Sequence, residues 1–116
     1  MSESSEQRIS FDEFKKLDLR IAKVLEVSDH PNADRLYVMQ IDLGDEQRQI
    51  VAGLRGIVER EKLAGSLIVL VANLAPARLR GVESNGMLLA ATDAADGKHI
   101  VALTCAEPVA VGSKVS

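Results

Sequence analysis

Arg78 and Arg80 are the residues whose type and spacing come nearest to a binding chemistry. In a locally extended segment, residues two apart project to the same side, and two guanidiniums on one side make a paired site for phosphate oxygens. The stretch that carries them runs from Ala72 to Met87, with Asn73, Ser84 and Asn85 adding neutral hydrogen-bonding groups at its two roots. A solvated loop with two surface arginines has the same pattern, so both readings stand on these residues. Catalytic chemistry has less to draw on: His30 and His99 are the only histidines and Cys105 is the only cysteine. No H-E-x-x-H, C-x-x-C, G-x-S-x-G or G-x-x-x-x-G-K-[ST] spacing occurs. Asp93 and Asp96 beside Gly97 read as a turn, because two carboxylates fall short of the oxygen set that a cation needs. No enzymatic activity, metal site or cofactor is expected. A single cysteine also excludes an internal disulfide, and Cys105 is read as a small buried hydrophobe.

The elements that must position the arginines follow from periodicity. Residues 1–9 are polar and aperiodic, which reads as a flexible tail ahead of one domain over residues 10–116. Ser10 and Glu13 have capping-box spacing and start a short helix over Phe11 to Lys16, whose two phenylalanines should pack it onto the body. From Asp18 the period becomes two, with Leu19, Ile21, Leu25 and Val27 as the core face of a strand. Turn residues from Ser28 to Asp34 separate it from a strand through Tyr37, Met39 and Ile41, and Gly44 to Glu46 turn that into a third strand, Arg48 to Ala52. Leu67 to Ala72 is a continuous apolar run, expected to be buried on both faces. After the loop Asn73 to Gly86, two more strands follow at Met87 to Ala91 and His99 to Leu103. Five or six short strands with one small helix imply a mainly β fold, a small closed or nearly closed barrel.

Composition bounds the partners. The chain has a formal net charge of −3, and all of that excess sits in residues 1–13, leaving a body with equal numbers of acidic and basic side chains. A phosphate site must then be a local patch and not a global field. Only Phe11, Phe14 and Tyr37 are aromatic, too few to stack a run of unpaired bases, so folded RNA read by backbone shape fits better. No apolar run approaches the roughly 18 residues of a membrane span and the start lacks an apolar signal core, so a cytoplasmic protein without a membrane partner is expected.

Four segments in order resemble one family: Phe14 to Val24, His30 to Tyr37, Arg48 to Leu54, and Val71 to Met87. It is the tRNA-binding domain found as stand-alone dimeric proteins and as the C-terminal extension of many methionyl-tRNA synthetases. The resemblance spans about Phe11 to Lys114. It implies an OB-fold five-stranded barrel with a short N-terminal helix and a C-terminal dimerisation segment. It further implies largely anticodon-independent tRNA binding as a homodimer, with methionyl-tRNA synthetase as a possible partner. The family's Ser-x-Gly-Met element falls on Ser84, Gly86 and Met87, its basic loop on Arg78 and Arg80, and its asparagine after the apolar strand on Asn73. Met87 reads as core filler or as an apolar contact to a base. Arg35, after the His-Pro loop, reads as an RNA contact or as a partner of Asp34 or Asp29. The alternative function is a chaperone-like or synthetase-dimerisation module of the same fold, with the apolar strand Leu67 to Ala72 and Val109, Val111 and Val115 as its surface.

Overall fold

The computed structural model describes residues 7–116, so the expected tail over residues 1–9 lies largely outside the described residues. Helix α1, Phe11–Phe14, begins with the anticipated capping box: the Glu13 N–H donates to Ser10 Oγ at 3.1 Å and the Ser10 N–H to Glu13 Oε1 at 3.0 Å. It ends two residues short of the expected Lys16. Phe11 is 71% exposed, with the Lys15 ammonium 5.5 Å from its ring centroid, so it does not pack the helix onto the barrel. A single turn tethered just beyond its C-terminal end leaves its first residue out of reach of the core.

Strand β1, Leu19–Asp29, is the spine. Its first half pairs antiparallel with β4, Leu67–Val71, and its second half with β2, Tyr37–Asp42. Strand β2 continues through the turn at Gly44 into β3, Gln47–Ala52. A register shift between Val24 and Glu26 makes Leu25 a β-bulge, and the extra residue reverses the parity of everything after it. The core face is therefore Ala22, Val24 and Val27; Leu25 is exposed, and Leu19 and Ile21 are buried outside that cluster. This corrects the simple alternation. Strand β4 is likewise less enclosed than expected, with Ile68, Leu70 and Val71 buried but Leu67 and Val69 only half-buried.

The sheet runs β3-β2-β1-β4-β7, with β7 at Met87–Leu88. Met39, Ile41, Ile50, Ile68 and Leu70 fill its concave side, and helix α2, Arg60–Leu63, adds Leu63 from one end. Each such burial contributes roughly 1.5–3 kcal/mol. The curled antiparallel half-barrel is mainly β and OB-like, as expected. The Ala72-to-Met87 segment is more regular than a loop: β5, Ala77–Leu79, and β6, Val82–Ser84, form a hairpin. The strand expected over Met87 to Ala91 breaks at Leu89 into β7 and β8, Ala90–Thr92, which pairs with β9, Ile100–Ala102. Cys105 is half-buried. The chain returns as β10, Lys114–Val115, against Leu19 and Arg20.

Ahead of β10 the C-terminal segment crosses the β2–β3 turn at close range. A Cβ built on Gly112, at φ +92°, would lie 2.5 Å from the Leu43 carbonyl oxygen. Gly112→Ala should therefore lose about 1–3 kcal/mol in urea unfolding, from strain plus displaced backbone. Gly97, at φ +67° with open space around it, carries only the conformational part, so Gly97→Ala should lose about 1 kcal/mol. Equal losses in the two variants would remove the close approach as a determinant.

Candidate nucleic-acid interface

The β5–β6 hairpin turns through two residues only, Arg80 at φ 54° and Gly81 at φ 90°. Two consecutive positive φ values are those of a type I′ turn, whose twist matches the strands it joins. Among the described residues, Arg80 is the only non-glycine with positive φ, a conformation costing roughly 1–2 kcal/mol for a side chain of its size. The two arginines are therefore not the extended pair that their spacing suggested. Arg78 lies within β5 opposite Glu83 and donates from a terminal nitrogen to the Gly81 carbonyl at 3.1 Å. Arg80 occupies the tip and reaches across to the Asn32 carbonyl at 3.4 Å. Both side chains are exposed, and their carbonyl partners leave the remaining guanidinium donors to solvent.

What holds the tip in place is His30, which the sequence offered as a turn residue and as one of two histidines, with no sign of this role. It is 3% exposed; its Nδ1 accepts the Asn32 N–H at 2.9 Å and its Nε2 lies 2.9 Å from the Leu79 carbonyl. Since Nδ1 accepts, Nε2 carries the proton and donates to Leu79. The imidazole thus fixes the β1–β2 loop and the hairpin to each other across 49 residues of sequence.

The root of the hairpin is joined to β3. Ser84 is 5% exposed; its Oγ accepts the Val51 N–H at 2.9 Å and donates to the Gly86 carbonyl at 3.2 Å. The Asn85 N–H donates to the Gln49 carbonyl at 2.8 Å, and the Gln49 amide donates to the Glu83 carbonyl at 2.9 Å. These bonds close the gap between β3 and the last sheet strand. Ser84 therefore positions the hairpin and does not face solvent, while the Asn85 side chain sits half-buried in a polar recess with Glu46, Arg48 and Glu83. In that recess Arg48 hydrogen-bonds Glu46 at 3.0 Å and holds its carboxyl below the usual range. The other terminal nitrogen of Arg48 donates to the Ala72 carbonyl.

Asn73 faces elsewhere. Its Oδ1 accepts the Asp18 N–H at 2.8 Å and its Nδ2 donates to the Lys16 carbonyl at 2.6 Å, fixing the α1–β1 link to the end of β4. Met87 is 49% exposed, so it is not core filler. It lines an apolar groove with Leu74, Leu79 and Leu88, below the hairpin. Arg35 is exposed on the β1–β2 loop, the loop whose Asn32 carbonyl Arg80 contacts. It does not pair with Asp29, whose carboxylate is engaged by Arg55 at 3.3 Å and Arg60 at 2.8 Å. The fold thus puts Arg78 and Arg80 on one hairpin with Ser84 at its root, sets the β1–β2 loop that carries Arg35 against Arg80, and commits the Asn73 amide to the α1–β1 link. Arg55, after β3, and Arg60, which opens α2, reach Asp29 at the start of the same loop, without any motif to announce them.

Residues 19–114 match the family model described as a putative tRNA binding domain. The methionine–tRNA ligase of Thermococcus kodakarensis is 55% identical over 107 residues, covering 92% of this chain but 14% of that protein. That of Thermotoga maritima is 52% identical over 114 residues, 97% of this chain and 18% of the ligase. The chain therefore spans less than a fifth of these relatives. Among solved structures, a MetRS related protein from Pyrococcus horikoshii superposes with a TM-score of 0.87 at 30% identity, covering 95% of this chain and 99% of that one. The CsaA chaperone protein from Picrophilus torridus gives 0.84 at 25% identity, over 94% and 100% of the two chains. The matching family is a binding domain and not a catalytic one.

The assignment of Ser84 to positioning has a direct check. Ser84→Ala leaves the buried Val51 N–H without a partner, which should cost about 1–3 kcal/mol in unfolding, whereas Met87→Ala, at a half-exposed position, should cost under about 1 kcal/mol. The reverse order would place Met87 in the core and Ser84 at the surface.

Proposed function

The chain belongs to the putative tRNA binding domain family, and from that footing we propose that it binds tRNA through the β5–β6 hairpin and the adjoining β1–β2 loop. The observation that carries this reading is the fixed hairpin: Arg78 and Arg80 are exposed on a backbone tied near its tip by His30 and at its root by Ser84. A rigid mount matters because ordering a long side chain or a loop on binding subtracts from affinity. Arg35, exposed on the β1–β2 loop that Arg80 contacts, adds a third guanidinium to this reading. Each guanidinium offers forked donors to phosphate oxygens, and neutralising a phosphate releases condensed cations, so affinity should fall with salt.

Recognition is by shape and largely independent of the anticodon. Tyr37 is buried with its hydroxyl donating to the Val58 carbonyl at 2.9 Å, and Phe14 is half-buried, which leaves Phe11 as the one exposed aromatic among the described residues. One ring cannot read a run of splayed bases, while phosphates and 2′-hydroxyls of a folded RNA need none. The chain acts as a homodimer through its C-terminal segment, where Val101, Leu103 and Val109 remain 51%, 39% and 44% exposed. Two linked sites on one RNA would raise avidity without any new contact. It assists methionyl-tRNA synthesis as a binding appendage or helper, a role suggested by relatives named as methionine–tRNA ligases, and has no catalytic activity of its own.

A second reading has its own observation. The groove below the hairpin exposes Leu74, Leu79 and Met87, 41%, 39% and 49% accessible, and would suit an apolar polypeptide segment in a chaperone-like role. Filter binding of tRNA and of an unfolded polypeptide to the same preparation separates the two.

For the tRNA reading, Arg78→Ala with Arg80→Ala should weaken binding by about tenfold or more at low salt and reduce the slope of log K against log salt by about 1 to 2, with the thermal unfolding midpoint unchanged. Unaltered binding at two salt concentrations would remove the hairpin from the interface. Sedimentation at micromolar concentration should give a dimer, and a monomer there would withdraw the avidity argument.

A further inference from the structure

At the start of the β1–β2 loop whose Asn32 carbonyl Arg80 contacts, two guanidiniums converge on one carboxylate. Arg60 meets Asp29 Oδ1 at 2.8 Å and Arg55 meets Asp29 Oδ2 at 3.3 Å, one arginine to each oxygen. Arg55 also reaches the Ala33 carbonyl at 3.5 Å, and Arg80 takes the carbonyl of the preceding residue, Asn32. The two basic groups therefore flank a single loop, itself pinned by His30. We propose that Arg55 and Arg60 form a second phosphate subsite for the RNA backbone, filled in the free protein by the protein's own Asp29 carboxylate.

A carboxylate and a phosphodiester each carry one negative charge and offer two oxygens to forked N–H donors, so a pair of arginines arranged for the one accepts the other. All three side chains are solvent-accessible, 33% for Arg55, 45% for Arg60 and 42% for Asp29. Ion pairs of that kind are weak and screened by salt. A phosphate can displace Asp29 without opening the core, because the buried groups nearby, His30 and Tyr37, are committed to other bonds. Asp29 then acts as an internal competitor that lowers affinity for any lone polyanion. Only a ligand already held by Arg78 and Arg80 gains enough to displace it. This rests on the tRNA reading above, whose failure would show separately.

The test compares the unaltered chain, Asp29→Asn, and Asp29→Asn combined with Arg55→Ala and Arg60→Ala. Binding of tRNA is measured at two salt concentrations. In a parallel arm, inorganic phosphate is titrated while the Arg55 and Arg60 Nε–H resonances are followed. Asp29→Asn should tighten tRNA binding by about three- to tenfold at low salt and steepen the salt slope by about 0.7–0.9 for each phosphate gained, and the triple variant should lose that gain. Phosphate should shift both arginine resonances at lower concentration in Asp29→Asn than in the unaltered chain. An unchanged slope in Asp29→Asn, or a gain that survives in the triple variant, overturns the proposal. If the unaltered chain binds no tRNA, the functional reading falls, and the phosphate arm decides the subsite alone: no shift in Asp29→Asn overturns it. Should Asp29→Asn fold poorly, Asp29→Ser removes the same charge and must show the same gain.

Discussion

A strand inside a sheet must find partners for its backbone groups, and β1 meets three other strands along its eleven residues. Its first half pairs with β4 on one edge while the other edge takes β10 and then β2. The bulge at Leu25 falls in the β2-paired half, where the strand must curl to bring β2 and β3 round toward β4. Without that bend the sheet would stay open. β3 could not then reach the segment after β6, and the Ser84 hydroxyl would have no Val51 N–H to accept. The candidate interface at one end of the barrel is a consequence of curvature in its longest strand.

The hairpin illustrates how a small barrel holds an appendage without leaving it loose. Six residues of strand and two of turn bury little apolar surface of their own. Their order comes from polar bonds at the two ends, His30 to the Leu79 carbonyl and Ser84 to β3. Both groups are almost fully buried, where a hydrogen bond is stronger and its loss more costly than at the surface. Such bonds also define a single geometry, which apolar contact at a barrel rim would not. The strained backbone of Arg80 fits the same logic, since a tip held from both sides can retain a left-handed arginine that an isolated hairpin would replace with glycine or asparagine.

Local signals in the sequence were reliable where the physics is local. The capping box at Ser10 and Glu13, the turn residues from Ser28 to Asp34 and the apolar run from Leu67 each have their causes within a few residues. Period-two reading failed at Leu25 because a bulge leaves no residue-type signature there, and the parity of Leu19 and Ile21 was misassigned with it. Phe11 failed for a different reason: an i, i+3 aromatic pair predicts a face, but not whether a one-turn helix lies close enough to use it. At the interface, Arg78 and Arg80 were legible as charges. Their relation was not, because a two-residue turn, which no Asn-Gly or Asp-Gly marked, put one on a strand and the other at the tip. His30, Arg55 and Arg60 contribute through partners 49, 22 and 31 residues away, separations at which one sequence carries no signal. Residues 1–6 lie outside the described part of the chain.

A formal charge of −3 looks unsuited to the proposed RNA partner, but it would constrain the mode of binding and not oppose it. At physiological salt, charges separated by more than about 8 Å are largely screened, so distant carboxylates would hardly weigh on a phosphate docked at the hairpin. The carboxylates that do weigh are local: Glu83 faces Arg78 across the hairpin and Asp29 sits between Arg55 and Arg60. Those acids suppress the attraction of the basic end for any passing polyanion, since steering depends on the summed field and here it nearly cancels. What remains is short-range and demands that several phosphates arrive in the right arrangement at once. A folded RNA presents that arrangement at no conformational cost, whereas a flexible strand would have to be ordered first. On the proposed tRNA reading, near-neutrality would exchange association rate and raw affinity for discrimination by shape.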